Sequence, residues 1–159
     1  MVWIGAIGTA RAVLAVGDHE WDPVIMTAIA GAESGYDTEA VSPTNDWGLF
    51  QINRDVWGWL FDQYDWADPI GNTTMALIVW RSQGYNAWVA YWTGRYLDFF
   101  NEAITAVRQL EEHAPPPPPP SRDPNELSSW WDNFQDLVNN TAAYLFSKLG
   151  DAINIYRSW

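Results

Sequence analysis

Cysteine is absent from the 159 residues, and histidine occurs only at His19 and His113. Without cysteine there is no disulfide framework, no thiol nucleophile and no thiolate zinc site. Two histidines so far apart form no obvious metal cluster, and they argue against a Ser-His or Cys-His machine. No metal or cofactor is expected, and any acid–base chemistry falls mainly to carboxylates. Positive charge is scarce as well, with 8 Lys and Arg against 20 Asp and Glu and a formal net charge of -12. A protein that tracks nucleic-acid phosphates needs clustered Lys and Arg, which this chain lacks. The same charge offers no attraction to an anionic membrane or cell wall. No uninterrupted apolar run is long enough to predict a membrane-spanning helix. Residues 1–17 are apolar, but their one positive charge, Arg11, sits inside the apolar stretch and no small-residue cleavage site precedes Asp18. They do not read as a secretion signal; residues 9–16 instead predict a short helix closed by Gly17.

What is present is enough apolar material for a core: 48% hydrophobic against 18% charged residues, in a length that suits one compact domain plus an appendage. Trp occurs 12 times. That density suits a heavily stapled core and equally the binding of flat sugar faces. Asp22 and Pro23 form an N-cap and first helical residue, and the following Val24, Ile25, Met26, Ala28, Ile29, Ala30 and Ala32 make a helix apolar nearly all round, stopped by Gly35. Residues 36–53 predict a loop, then a small strand or hairpin built on Leu49, Phe50, Gln51 and Ile52. Residues 54–67 are Trp-rich and irregular, with room for one short helix. Asn72 or Thr73 is expected to cap a helix through Trp80 to Gly84, and a last helix is expected from about Gly94.

Residues 115–120 are all proline. Such a run adopts polyproline II and makes a semi-rigid spacer of about 19 Å. Beyond it, Leu127, Trp131, Phe134, Val138, Leu145 and Leu149 recur in rough heptad-like register. An amphipathic helix of that kind cannot bury its own stripe and needs a partner, whether its own domain, another copy or a foreign protein.

Glu33 is the only charged residue between Pro23 and Gly35. Apolar surroundings raise a carboxyl pKa, and the negative end of the helix macrodipole acts in the same direction. Both favour the neutral acid, the form that can protonate a leaving group. The competing reading is a carboxylate that frays into solvent beyond a core helix. Four segments then follow in order: Glu33-Ser34-Gly35, Ala40-Val41-Ser42, Gly48-Leu49-Phe50-Gln51-Ile52-Asn53 and Ala90-Tyr91-Trp92-Thr93-Gly94. Over residues 11–96 the chain thereby resembles the soluble lytic transglycosylase branch of the lysozyme-like superfamily, which cleaves the glycan strands of bacterial peptidoglycan. By that resemblance Glu33 matches the catalytic acid/base, Ser42 and Gln51 match residues lining the cleft, and Asn53 takes a substrate contact. Tyr91 matches a tyrosine that points at the catalytic carboxyl. Trp92 and Thr93 depart from the family pattern, in which Asn and Ala stand there.

Glycoside cleavage normally uses two carboxyl groups. Asp37, Glu39, Asp46 and Asp55 all lie in polar loop sequence and read best as solvated charges. In the resembled family one Glu suffices, because the substrate's own C6 hydroxyl closes a 1,6-anhydro ring. Trp80 is expected in the core. Trp47, Trp57, Trp59 and Trp66 flank the expected cleft, where packing is a more common role than sugar stacking.

The expectation is therefore a mainly α, α+β lysozyme-like domain with a small β-hairpin region over residues 1–113, a proline-rich linker over 114–124 and an amphipathic helical tail over 125–159. The function implied is cleavage of the MurNAc–GlcNAc β-1,4 bond by a lytic transglycosylase of bacteriophage-lysin type, acting from a virion or from the host cytoplasm after release to the wall. Two rivals remain: a water-using muramidase, and a non-catalytic virion or glycan-binding module. The expected partners are peptidoglycan strands, with a protein partner or self-association through the tail.

Overall fold

The computed structural model describes residues 2–17 and 20–112. Residues 2–4 run extended beside residues 36–38: Ile4 N–H donates to the Tyr36 carbonyl at 3.1 Å, and Thr38 N–H to the Val2 carbonyl at 3.0 Å. Gly5, at φ 65°, turns this segment into α1, Gly5–Gly17. The helix begins earlier than residues 9–16 suggested, because contacts distant in sequence hold its entry.

Helix α2, Pro23–Ser34, forms as its punctuation predicts. The Asp22 carboxylate accepts from the N–H groups of Val24 and Ile25 at 2.9 and 3.1 Å, and Gly35 closes the helix at φ 63°. Its middle is buried from Ile25 to Gly31, and it packs against α1 on one side. Met26, Ile29, Val13, Leu49, Phe50, Leu60 and Met75 are fully enclosed. Each such side chain contributes about 1.5–3 kcal/mol by leaving water.

The sheet is one antiparallel pair, β1 (Asp46–Trp47) and β2 (Ile52–Asn53), with Asp46 opposite Asn53 and Trp47 opposite Ile52. Leu49, Phe50 and Gln51, expected as strand, form the connecting turn instead. Gly48 at φ 79° and Gln51 at φ 49° are both left-handed, which no strand accommodates. A Cβ on Gly48 would lie 2.2 Å from the Asn72 amide nitrogen, so only glycine fits.

Asn53 caps α3, Arg54–Phe61, accepting from Asp55 and Val56 N–H at 3.1 Å. Helix α4, Pro69–Gln83, is capped by Asp68 and not by Asn72 or Thr73; its carboxylate accepts from Gly71 N–H at 2.7 Å. Asn72 lies inside the helix, fully buried. Gly84 ends α4 as expected. A 3₁₀ turn (Gly84–Ala87), the short α5 (Val89–Trp92) and a second 3₁₀ segment (Arg95–Phe99) lead into α6, Phe100–Glu112, which packs on α1 and α2. The expected last helix is thus split, its first turn wound as 3₁₀ after Gly94.

The result is a mainly helical α+β fold with one small hairpin, as the sequence implied. Among the described residues no helix is long and apolar enough to cross a membrane. His19, His113, the linker of residues 114–124 and the tail of residues 125–159 lie outside the described residues.

Candidate active site

Glu33 occupies the last turn of α2, and its side chain is 16% exposed. Two groups reach its Oε1. The Ala90 N–H, in the first turn of α5, donates to it at 3.3 Å. Arg95 Nη2 stands 3.9 Å away and donates instead to the Ala32 carbonyl at 2.9 Å. Burial dominates and raises the Glu33 pKa; the Ala90 N–H and the Arg95 charge pull it down, and the Asp46 charge pushes it up. The net direction is upward. Arg95 is 57% exposed, and an ion pair so long and so wet is weak. The carboxyl is therefore not splayed into solvent, and no cation among the described residues neutralises it. It is held toward its protonated form.

The hairpin brings Ser42 and Asn53 together, around a carboxylate that the sequence reading set aside. Asp46 Oδ2 accepts from Ser42 Oγ at 2.7 Å and from Thr44 Oγ1, and Oδ1 accepts from Asn53 Nδ2 at 2.8 Å. Burial alone would raise the Asp46 pKa, but the donors Thr44, Ser42 and Asn53 together hold it below the ordinary range. Ser42 Oγ also accepts from the N–H groups of Thr44 and Asp46. Asn53 is spent on Asp46, on the Thr44 carbonyl and on capping α3. Gln51 Nε2 donates to the carbonyls of Ala40 and Gly48 at 3.1 and 2.9 Å, tying the loop to the turn. The turn is itself clamped at Phe50, whose N–H donates to Asn72 Oδ1 and whose carbonyl accepts from Trp88 Nε1, both at 2.9 Å.

Tyr91 follows Ala90 on α5 but makes no hydrogen bond to Glu33. Its ring stacks between Tyr85 and Tyr96, with centroids 5.0 and 5.2 Å away. The Tyr85 hydroxyl accepts from Asp22 N–H at 2.7 Å, so this aromatic row is anchored at the start of α2. Burial pushes the Tyr85 pKa up to about 12. Trp92 is exposed. Of the Trp residues flanking the site, Trp47 packs edge-on against Trp66 at 4.7 Å and lies under the Arg54 guanidinium at 5.0 Å, Trp57 packs on the core, and Trp59 is half exposed. Trp80 is partly buried against the core. Asp37 and Asp55 serve the loops, Asp37 accepting from Val2 and Glu39 N–H and Asp55 from Asn45 Nδ2.

The sequence reading took Asp46 for a solvated loop charge and passed over the Ala90 N–H and Arg95. Asp46 carried a readable signal: Ser42, Thr44 and Asn53 place three short donors around it, a pattern that satisfies an anion. Ala90 and Arg95 carried none, because their approach to Glu33 depends on how α5 packs against α2. An apolar pocket of about 380 Å³ lies elsewhere, lined by Trp3, Ile4, Ile7 and Ala106 among others, and holds none of the candidate residues. The family model described as the transglycosylase SLT domain matches residues 15–96, the span that holds Glu33, Ser42, Asp46, Gln51, Asn53 and Tyr91. No curated protein and no solved structure matches the chain.

Proposed function

The chain belongs to the transglycosylase SLT domain family, and its substrate class is accordingly peptidoglycan; from that premise we propose that Glu33 is the acid that breaks the β-1,4 bond between N-acetylmuramic acid and N-acetylglucosamine. The protonated carboxyl gives its hydrogen to the glycosidic oxygen as the bond from C1 to that oxygen breaks, leaving an oxocarbenium-like sugar. The Glu33 carboxylate then takes the proton of the substrate's C6 hydroxyl, and O6 bonds to C1. Glu33 ends as it began, no water is consumed, and the muramic acid end is a 1,6-anhydro sugar. Ser42, Gln51, Asn53 and Tyr91 line the site: Gln51 and Tyr91 by contact with the glycan, Ser42 and Asn53 by fixing the hairpin wall.

One observation carries this reading: a largely buried carboxyl, raised by burial, with no full cationic partner among the described residues, at the end of an apolar helix. A carboxyl shifted in that direction is better able to protonate a leaving group. Support for an origin as a bacteriophage lysin, virion-borne or released from the host cytoplasm, is the pairing of a small wall-degrading domain with a proline spacer and an amphipathic tail in one sequence. The tail is the proposed contact for a protein partner or a second copy.

Mass spectrometry of muropeptides released from purified sacculi tests the chemistry. The native chain should release anhydro-muropeptides, lighter by one water than hydrolytic products, and Glu33→Gln should release none. Hydrolytic products alone would replace the transglycosylase by a water-using muramidase. Absence of any product from both proteins would favour a glycan-binding module.

A further inference from the structure

Among the described residues, most Trp side chains are used in packing. Trp21, Trp47, Trp66, Trp80 and Trp88 each lie against another aromatic ring, and Trp57 packs on the core. Trp92 is not used in this way. It is 62% exposed, and among the described residues its indole neither stacks on a ring nor donates a hydrogen bond. Its place in α5 sets which way it faces. Ala90 is fully buried and Tyr91 is wedged between Tyr85 and Tyr96, so these two residues form the inward side of the helix. Val89, three residues before Trp92, is half exposed and shares its face. The helix is pinned by Thr93, whose N–H and hydroxyl both donate to the Val89 carbonyl, at 3.0 and 2.7 Å.

That face adjoins the acid. The Ala90 N–H donates to Glu33 Oε1 at 3.3 Å, and Arg95 Nη2 lies 3.9 Å from the same oxygen. Trp92 therefore stands on a short arch of chain whose two ends, residues 90 and 95, both reach the Glu33 carboxyl. Two residues along a helix separate the Cα atoms of Ala90 and Trp92 by about 5.4 Å. Single apolar residues scattered over a surface need no explanation, but Val89 and Trp92 together form an apolar step on a pinned helix beside Glu33. A β-1,4-linked N-acetyl sugar has the chemistry that such a step takes. Its ring substituents are equatorial, so its axial C–H groups leave the ring faces apolar, and an indole covers a large flat area with few rotatable bonds to order. Contact of this kind needs no positive charge, of which this chain has little.

We propose that Trp92, with Val89 beside it, is a glycan-stacking surface of the site: the indole covers the apolar face of a pyranose ring adjoining the bond that Glu33 protonates, and so sets the register of the strand along α5. This rests on the reading of Glu33 as the acid and of the glycan as its substrate. Trp92 acts in binding and register, and no proton transfer passes through it.

The test separates binding from cleavage. Soluble, peptide-free strands of alternating N-acetylglucosamine and N-acetylmuramic acid are titrated calorimetrically into Glu33→Gln and into Glu33→Gln/Trp92→Ala, with circular dichroism as the folding control. Removing the indole should weaken binding by about 10-fold. In the active chain Trp92→Ala should raise KM by a similar factor and leave kcat near native, the split expected when an interaction made equally in the ground and transition states is lost. Trp92→Tyr keeps a flat ring and should restore most of the affinity. Trp3→Ala removes another exposed indole, one that lines the pocket away from the candidate residues, and should leave binding as it was. Equal binding with and without the Trp92 indole would overturn the proposal, as would an equal loss in Trp3→Ala or no binding by any variant. Strands that bind through Trp92 but stay uncut by the native chain would contradict the reading of Glu33 and leave this surface standing.

Discussion

At the scale of single residues, the site depends on two opposing charges acting on one carboxyl. Arg95 lies 3.9 Å from Glu33 Oε1 and favours the ionised form, while burial and Asp46 favour the neutral one. Replacing Arg95 with Gln removes the cation but leaves a donor for the Ala32 carbonyl. The Glu33 pKa then rises further, and the alkaline limb of the pH–rate profile should move to higher pH. A pH–rate series on sacculi measures it. An unmoved limb in Arg95→Gln would mean that solvent already screens this pair completely. Trp92 contributes at the same scale by contrast. It stands where the resembled family has Asn, and the residue is 62% exposed.

At the scale of elements, the turn of residues 48–51 is held from outside. Asn72, fully buried in α4, accepts from Phe50 N–H at 2.9 Å and donates to the Trp47 carbonyl at 3.2 Å. Asn72→Ala leaves both backbone groups without these partners and should lower stability by roughly 2–3 kcal/mol in urea or thermal unfolding, because a buried polar group without a partner costs about 1–3 kcal/mol. Elements with local punctuation were legible in the sequence. Asp22, Pro23 and Gly35 fix α2 at both ends, and Gly84 fixes the end of α4, because caps act within a few residues. The turn was not legible as a turn. Leu49 and Phe50 are apolar because they enter the core, and an apolar run of that length has the same composition in a buried strand. The start of α4 was misplaced for a related reason: Asn72 has the chemistry of a cap but is used across the fold, on the backbone of Phe50 and Trp47. Of the candidate site, Glu33 was legible from its isolation in an apolar helix. The Ala90 N–H and Arg95 were not, since their approach to it depends on the packing of α5 and the following 3₁₀ segment.

At the scale of the whole molecule, charge opposes substrate. A net charge of -12 is repelled by an anionic wall, and nothing in the composition compensates. Repulsion of this kind reaches about 30 Å at 0.01 M salt and about 8 Å at 0.15 M. The rate of sacculus digestion should therefore rise with added salt over that range, where a cationic wall enzyme would slow. Turbidity loss at several salt concentrations checks it, and a rate that falls steadily with salt would show that attraction governs the encounter. Among the described residues, α2 carries Glu33 as its one charged side chain, beyond its capping Asp22. That arrangement leaves burial as the largest influence on this carboxyl in a strongly acidic chain.

A carbon-13 titration of the Glu33 carboxyl, assigned by comparison with Glu33→Gln, addresses that protonation state without any substrate. Its midpoint should lie above the ordinary glutamate value. A midpoint at or below the ordinary value would leave the site without a proton to donate near neutral pH.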